Sequence, residues 1–327
     1  MSFVHKTRVG VLRGGPSPEY EVSLNTGQTI LSNLGEQYEP IDIFISKQNV
    51  WHERGLEKKP ESILGRVDVI VNGLHGAYGE DGQVQKLLEH FGIPYTGSDS
   101  LASAIAMNKI ATKKIYKNNS IKTPYGVSIP LEQLTRGRIK EAYEELPGPY
   151  IVKPSAAGSS VGVYIARSLA ELEEAVIAAS QHSPAVIIEE MIQGKEATCG
   201  VIEDWRGVRH YSLLPIEIHH NSEFFDYNSK YSENGAEEIC PGNFTSDETK
   251  LIQEMAVAAH NALHLRHYSR SDFIVHPRRG IYCLETNTLP GLTQTSLIPK
   301  SLTAVGSNIK EFLHHLITKA LDKKYNA

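Results

Sequence analysis

Cysteine is scarce in this chain, with three in 327 residues, at Cys199, Cys240 and Cys283. They lie far apart and form no CxxC pair, which argues against a disulfide framework or a zinc site. Long apolar runs are also missing: none approaches the ~18 residues needed to span a bilayer. Residues 1–15 lack the apolar core of a signal peptide. A soluble, reducing, cytoplasmic setting is the expectation. Neither sign of charge dominates, since 33 Lys and Arg face 38 Asp and Glu for a net charge of −5. That balance speaks against nucleic acid or an anionic membrane surface as partner. The two commonest phosphate-binding signatures, GxxxxGK[ST] and GxGxxG, do not occur, and there is no internal repeat or low-complexity segment.

The chain does have apolar content enough for buried cores, at 40% hydrophobic, and a length that suits roughly two to three domains. Apolar runs at Val9–Leu12, Ile41–Ile45 and Val67–Val71 read as buried strands. Helical patterns follow at Val22–Leu34 and Gly82–Phe91, so the first hundred residues predict a doubly wound parallel sheet. Ligands in such sheets sit beyond the carboxyl ends of strands. Two polar, Gly-rich loops leave strand ends there, Arg13–Glu21 and Asn72–Asp81. Ser98–Asn118 reads as helical. A compact unit follows, with strands at Pro149–Lys153, Val161–Ala166 and Ala185–Glu190 and a helix over Ser168–Ser180. Closely spaced strands continue to Ile218, predicting an antiparallel α+β region. Asn221–Glu237 is polar and aperiodic, which at this length predicts a functional loop or lid. The remainder predicts a helix at Thr249–Leu265, strands at Ser269–Val275 and Ile281–Glu285, a loop, and a last helix at Asn308–Leu321.

Four constellations could carry chemistry. Lys153-Pro-Ser-Ala-Ala-Gly-Ser-Ser-Val-Gly162 offers small residues whose backbone N–H groups can approach a phosphate, with a lysine at the strand end. A tight hairpin turn is an equally good reading of it. Asp272, Glu285 and Asn287 would lie on neighbouring strands, with Glu285 and Asn287 on one face. Three oxygen ligands so placed suit Mg²⁺; two ordinary solvent-facing acids are the alternative. The segment Glu285–Leu297, with its Pro-Gly and many hydroxyls, suits a loop that binds an anion. Arg270 would share a face with Asp272, either as a fixed cation stabilising developing negative charge or salt-bridged to one of the acids.

Together these residues resemble the ATP-grasp superfamily and, more closely, the D-alanine–D-alanine ligase family, in order along nearly the whole chain. The motifs are Gly14-Gly15-x-Ser17-x-Glu19-x-Glu21-Val22-Ser23, His75-Gly-x-x-Gly79-Glu80-Asp81-Gly82, Ala106-Met-Asn-Lys109, Lys153 with Gly158-Ser-Ser-Val-Gly162, Phe225-Asp-Tyr-x-x-Lys230-Tyr231, Arg270-Ser-Asp272, and Glu285-x-Asn287-Thr-x-Pro-Gly-x-Thr-x-x-Ser-Leu297. The resemblance implies an α/β and α+β chain, an ATP-grasp fold preceded by an open parallel-sheet domain. The domains would be 1–98, a flap domain over 99–188, and 189–327 with the metal site and a mobile ω-loop. It implies that Lys109, Lys153, Ser160 and Lys230 serve ATP, that Glu189, Glu190, Met191 and Ile192 form the adenine hinge, and that Glu196 holds the ribose. Asp272, Glu285 and Asn287 would bind two Mg²⁺, with Mn²⁺ able to substitute. Glu19 would receive the ammonium of the first D-alanine with His75 nearby. Ser159 and Tyr231 would close the lid onto Glu19. Arg270 and the backbone at Gly291 would form the oxyanion site, and Ser296 and Leu297 would hold the second carboxylate.

The activity so implied is ATP-dependent joining of two D-alanines through an acylphosphate, for peptidoglycan precursors, by a cytoplasmic homodimer paired through its first domain. D-lactate or D-serine as second substrate is the nearest alternative; Lys230-Tyr231 favours D-alanine. A nucleotide-binding regulator without turnover is the alternative of another class, and it would lack a ligand or lysine that is present here. Four positions depart from the family pattern: Glu190 where Lys is frequent, His267-Tyr-Ser before Arg270 in place of a Gly-containing approach, Gly after Cys240-Pro, and Ala156-Ala157 in the flap.

Overall fold

The computed structural model describes residues 6–156, 158, 161–219 and 237–322. Its first sheet holds β1 (Thr7–Gly14), β2 (Tyr38–Ile45), β3 (Trp51–Glu53), β4 (Leu56–Glu57) and β5 (Val69–Asn72), in the order β4-β3-β2-β1-β5. β1 runs parallel to both β2 and β5, as the alternation predicts. A short antiparallel hairpin, β3–β4, extends the edge and makes the sheet mixed. Both faces of β1 are buried, as a central parallel strand requires. Val9 and Val11 enter one apolar cluster and Leu12 another, following the two-residue side-chain period. Helices α1 (Tyr20–Asn33), α2 (Pro60–Leu64) and α3 (Gln83–His90) cover the sheet.

The expected single helix over Ser98–Asn118 is two, α4 (Ser100–Met107) and α5 (Lys109–Asn118). Asn108 breaks it: the backbone is extended there, and the Asn108 side chain accepts hydrogen bonds from the Ile110 and Ala111 N–H groups. An Asn that caps a helix in this way competes with its own place in a helix interior. The middle sheet is antiparallel, β6 (Gly126–Pro130), β7 (Tyr150–Pro154), β8 (Tyr164–Ala166) and β9 (Ala185–Glu190), in the order β6-β9-β7-β8. Helices α6 (Arg136–Glu145) and α7 (Leu169–Ala179) pack on it. β6 and α6 had no sequence expectation. β8 is shorter than the predicted Val161–Ala166, because Gly162 turns the chain at φ +72.

The third sheet is antiparallel too, with β10 (Lys195–Trp205), β11 (Val208–Ser212), β12 (Ile216–His219), β13 (Glu237–Ile239), β14 (Tyr268–His276) and β15 (Gly280–Asn287). Helix α8 (Ser246–Ala262) starts earlier than predicted, at a capping box made by Thr245 and Glu248. Helix α9 (Leu297–Ala304) occupies what read as loop, and α10 (Ile309–Leu321) ends the described chain. Two packing facts cross the expected domain limits. Ala102, Tyr116 and Ile121 join the cluster of the third sheet, so α4 and α5 lie against that sheet. The limit between 188 and 189 falls inside β9. Phe312, Leu313 and Leu316 of α10 return to the cluster that holds Val9, Val11 and Val69 of the first sheet. Among the described residues no helix is long and apolar enough to cross a membrane.

Candidate functional site

β1 and β5 are parallel neighbours, so the loops that follow them leave the sheet at one edge. The first carries Ser17 and Glu19, the second His75, Gly76 and Glu80. The Ser17 hydroxyl donates to the His75 carbonyl at 2.6 Å and accepts from the Glu19 N–H at 3.1 Å, which ties the two loops together. The His75 ring bonds Thr26 through Nε2 at 2.8 Å and meets Glu80 through Nδ1 at 3.2 Å. Glu80 also accepts from the Gly76 N–H at 3.1 Å. Burial, aided by the nearby Glu19 charge, pushes the Glu80 carboxyl up, while the His75 ring draws it down. Gly76, at φ +68, lets the loop pass close to Glu19: an added Cβ would stand 2.6 Å from Glu19 Oε2. Gly158 of the middle unit's loop approaches the same carboxylate, with its Cβ position 3.3 Å from Oε2.

The nucleotide candidates gather where the middle and third sheets meet. The break at Asn108 puts Lys109 at the first position of α5, where its N–H donates to the Ser155 carbonyl at 2.8 Å. Its ammonium lies 3.3 Å from Glu285 across on β15. Lys153 on β7 meets Glu189 on β9 at 2.6 Å. Glu189 is 2% exposed. Burial opposes its ionisation, but Lys153 and Lys113 outweigh this and hold its carboxyl below the ordinary range. Met191 donates its N–H to the Pro149 carbonyl at 2.8 Å, while Ile192 is buried and Glu196 sits on β10 opposite Ile218 and Ile274.

Glu190 differs from its expected surroundings. Its neighbour Glu189 points at the lysines, so Glu190 points the other way. There the Arg279 guanidinium reaches both its oxygens, at 3.0 and 2.7 Å, and the Tyr125 N–H donates to Oε1 at 3.1 Å. The side chain that replaces the frequent Lys is thus a buried anchor for a cation from the β14–β15 turn. Glu190→Lys is expected to lower the melting temperature by setting two cations against each other, and the swap Glu190→Lys/Arg279→Glu is expected to recover it. Thermal melts of the three proteins check this; a swap no better than the single change would refute it.

β14 and β15 bring the acids together. Asp272 pairs with Glu285 and Arg270 with Asn287 in the register, which places directly opposed residues on one face. Arg270 donates to Asp272 through Nε and Nη2, both at 3.0 Å, and the Thr198 hydroxyl donates to Asp272 Oδ1 at 2.6 Å. Of the two readings of Arg270, the salt bridge is therefore present. Burial works against the charge of Arg270, while Asp272, Glu285 and Glu80 raise its pKa. Asn287 Oδ1 accepts from the Leu289 N–H at 2.8 Å and shapes the loop that follows. The Ser296 hydroxyl pairs with that of Thr293 at 2.7 Å and caps no N–H of α9, which starts at Leu297. The first N–H groups of α9 therefore have no help from their cap, a setting that favours an anion. Gly291 is needed for close approach: a Cβ there would lie 2.8 Å from Ser296 Oγ.

His267 explains another departure. It sits at φ +66, a left-handed conformation that glycine adopts at least cost. Burial pushes its ring down to about 3. The neutral ring accepts the Gly97 N–H at Nδ1 at 3.0 Å, and the His267 N–H donates to Glu203 at 2.7 Å. These bonds hold the strained residue just ahead of Arg270.

Ser159, Ser160, Lys230 and Tyr231 lie outside the described residues, as does Ala157 of the flap. Lys113 and Arg279 escaped the sequence reading, and Glu80 entered it only as part of a motif. Lys113 lies four residues after Lys109 on one helix face, a spacing that could have flagged it. Nothing in the sequence links Arg279 to Glu190, 89 positions away. Among the described residues no group of three or more His, Cys, Asp or Glu is placed to hold a metal ion; the set here is two acids and an amide.

Comparison with known proteins extends this geometry. The family described as D-ala D-ala ligase C-terminus matches residues 121–318, and D-ala D-ala ligase N-terminus matches 8–63 and 52–98. The chain is 37% identical over 311 residues to a D-alanine–D-alanine ligase of Lawsonia intracellularis, covering 95% of this chain and 97% of the relative. Among solved structures it resembles the VanG D-Ala:D-Ser ligase of Enterococcus faecalis, with TM-score 0.87 and 30% identity, covering 97% of this chain and 100% of that one. It also resembles the D-alanine–D-alanine ligase of Bacillus anthracis complexed with ATP, with TM-score 0.81 and 31% identity, covering 98% and 99%. The fold is that of the ATP-grasp ligases. On a match that runs through both domain models and almost the full length of both chains, this chain belongs to the D-alanine–D-alanine ligase family.

Proposed function

We propose that this protein joins two D-alanines into D-alanyl-D-alanine, converting ATP to ADP and phosphate. The observation that carries the reading is the approach of Gly158, from the loop after Lys153, to Glu19, at the edge where His75 and Glu80 also lie. An amino-acid site and a phosphate site adjoin there. The ATP complex of the Bacillus anthracis relative supports the nucleotide half.

Glu19 would take the ammonium of the first D-alanine, which leaves that substrate's carboxylate facing the γ-phosphate. A carboxylate oxygen attacks phosphorus, the bond to the bridging oxygen of ADP breaks, and an acylphosphate forms. Lys109 and Lys153 neutralise charge spread over the transferring group. Asp272, Glu285 and Asn287 are an all-oxygen set on one face, which fits Mg²⁺; two ions held there would offset the phosphate charge. The first N–H groups of α9, with Ser296 and Leu297, would hold the carboxylate of the second D-alanine. Its neutral amine attacks the acyl carbon, and Arg270 with the Gly291 backbone stabilises the oxyanion that develops. Phosphate leaves as the peptide bond forms, and the amine gives up its proton. Ser159 and Tyr231 would shield the acylphosphate from water, while Ser160 and Lys230 would serve ATP. Glu189, Met191 and Ile192 would receive adenine and Glu196 the ribose. A cytoplasmic homodimer paired through the first domain completes the proposal, by analogy with the family.

The test is phosphate release from ATP and Mg²⁺ with D-alanine, with the product weighed by mass spectrometry. D-lactate, D-serine and L-alanine are offered in turn as acceptors. Equimolar phosphate and D-alanyl-D-alanine is the expected result. The resemblance to a D-Ala:D-Ser ligase makes D-serine the acceptor to watch: a preference for it would move the specificity and keep the mechanism. ATP binding with no release for any acceptor would overturn the proposal.

A further inference from the structure

Two lysines converge on one buried carboxylate of the middle sheet. Lys113 Nζ stands 2.5 Å from Glu189 Oε1, and Lys153 Nζ 2.6 Å from Oε2. The two lysines are not equivalent. Lys113 comes from α5, and its Nζ also reaches the Pro124 carbonyl at 2.6 Å and the Thr123 hydroxyl at 3.3 Å. An ammonium has three N–H donors, so those of Lys113 are matched by three acceptors of the protein itself. Lys153 sits at the end of β7, where the loop with Gly158 begins. The charge balance follows. Glu189 with Lys153 alone would be a neutral pair, with nothing to spare for a phosphate. Glu189 with both lysines leaves one net positive charge, and it falls on the lysine that borders the phosphate loop.

We propose that Lys113 is a positioning residue for the nucleotide: it neutralises Glu189 from behind, so that the charge of Lys153 is left for the phosphate chain of the ligand. This rests on Lys153 as the phosphate lysine in the function proposed above. The cost of burying Lys113 is consistent with a retained role. Burial pulls its ammonium down, Lys153 adds to that, and Glu189 opposes both.

Direct binding to the full-length protein separates this role from a merely structural one. ADP and adenosine are titrated by equilibrium dialysis at constant Mg²⁺, against the wild type, Lys113→Met, Lys153→Met and Lys113→Met/Glu189→Gln. Lys113→Met is expected to weaken ADP by about tenfold and adenosine by no more than about twofold, since adenosine has no phosphate for Lys153 to meet. The double variant removes the carboxylate that would capture Lys153, so its ADP-to-adenosine ratio is expected to return to the wild-type value. It also removes both buried charges, which keeps the test available if Lys113→Met alone fails to fold. Equal losses for ADP and adenosine in Lys113→Met, no loss at all, or a double variant whose ratio stays low would each overturn the inference. If Lys153→Met leaves the ratio unchanged, the phosphate role of Lys153 is what fails; if it lowers the ratio while Lys113→Met does not, the inference alone fails.

Discussion

Glu285→Gln is expected to abolish ligation while leaving the fold intact. Glu285 stands opposite Asp272 on paired strands and takes Lys109 at 3.3 Å, so one carboxylate serves both the proposed metal set and a nucleotide lysine. Glutamine keeps the shape and removes the charge. Several kcal/mol of transition-state stabilisation rest on such a ligand, and about 4 kcal/mol corresponds to about a thousandfold in rate. The Glu285 side chain is 43% exposed and the glutamine oxygen can still accept from the Lys109 ammonium, so the melting temperature is expected to stay near wild type. Phosphate release, product mass and a thermal melt check the three parts together. Near-normal turnover in a folded Glu285→Gln protein would remove Glu285 from the metal assignment.

Gly14→Ala is expected to act on folding. Gly14 closes β1 at φ +91, and an added Cβ would stand 2.2 Å from the Ile45 carbonyl oxygen on β2. That oxygen already accepts the Gly15 N–H at 2.8 Å, so it cannot move away without breaking the link between the strand ends. Left-handed backbone costs about 1–2 kcal/mol for an alanine, and relieving overpacking adds about 1–3 kcal/mol. A loss of about 2–5 kcal/mol is a large part of a domain stability of ~5–15 kcal/mol. Denaturant titration reads it directly as a lower midpoint with unchanged slope. A midpoint within error of wild type would mean that the strand end is pliable, and with it the loop that carries Ser17 and Glu19.

Much of the candidate site was legible because the residues proposed for it stand in local motifs. The loop with Glu19 and the loop with His75 each follow a strand whose apolar run is plain, and parallel strands place such loops at one edge. Glu285 and Asn287 share a face because they are two residues apart on a strand. The hydroxyl-rich segment Glu285–Leu297 reads as a loop suited to an anion, while α9, which begins where that segment ends, is not foreseen, since Leu297–Ala304 is short and contains a proline. The break at Asn108 was lost for a related reason: the apolar pattern runs through it, and only the capping bonds reveal the turn that aims Lys109.

The sequence by itself determined the strand order's raw material, the order of the motifs, and the residue types able to meet phosphate, metal and amino acid. Each of these depends on neighbours within a few positions, where period and spacing fix which side chains share a face. Only the tertiary structure decided which partners those residues take. It gave Glu189 two lysines from different elements and gave Glu190 an arginine 89 positions away. It also brought α10 back to seal the first sheet. Charges and apolar faces carry no address along the chain; burial forces each to find a complement, and which one it finds depends on how three sheets come together in space.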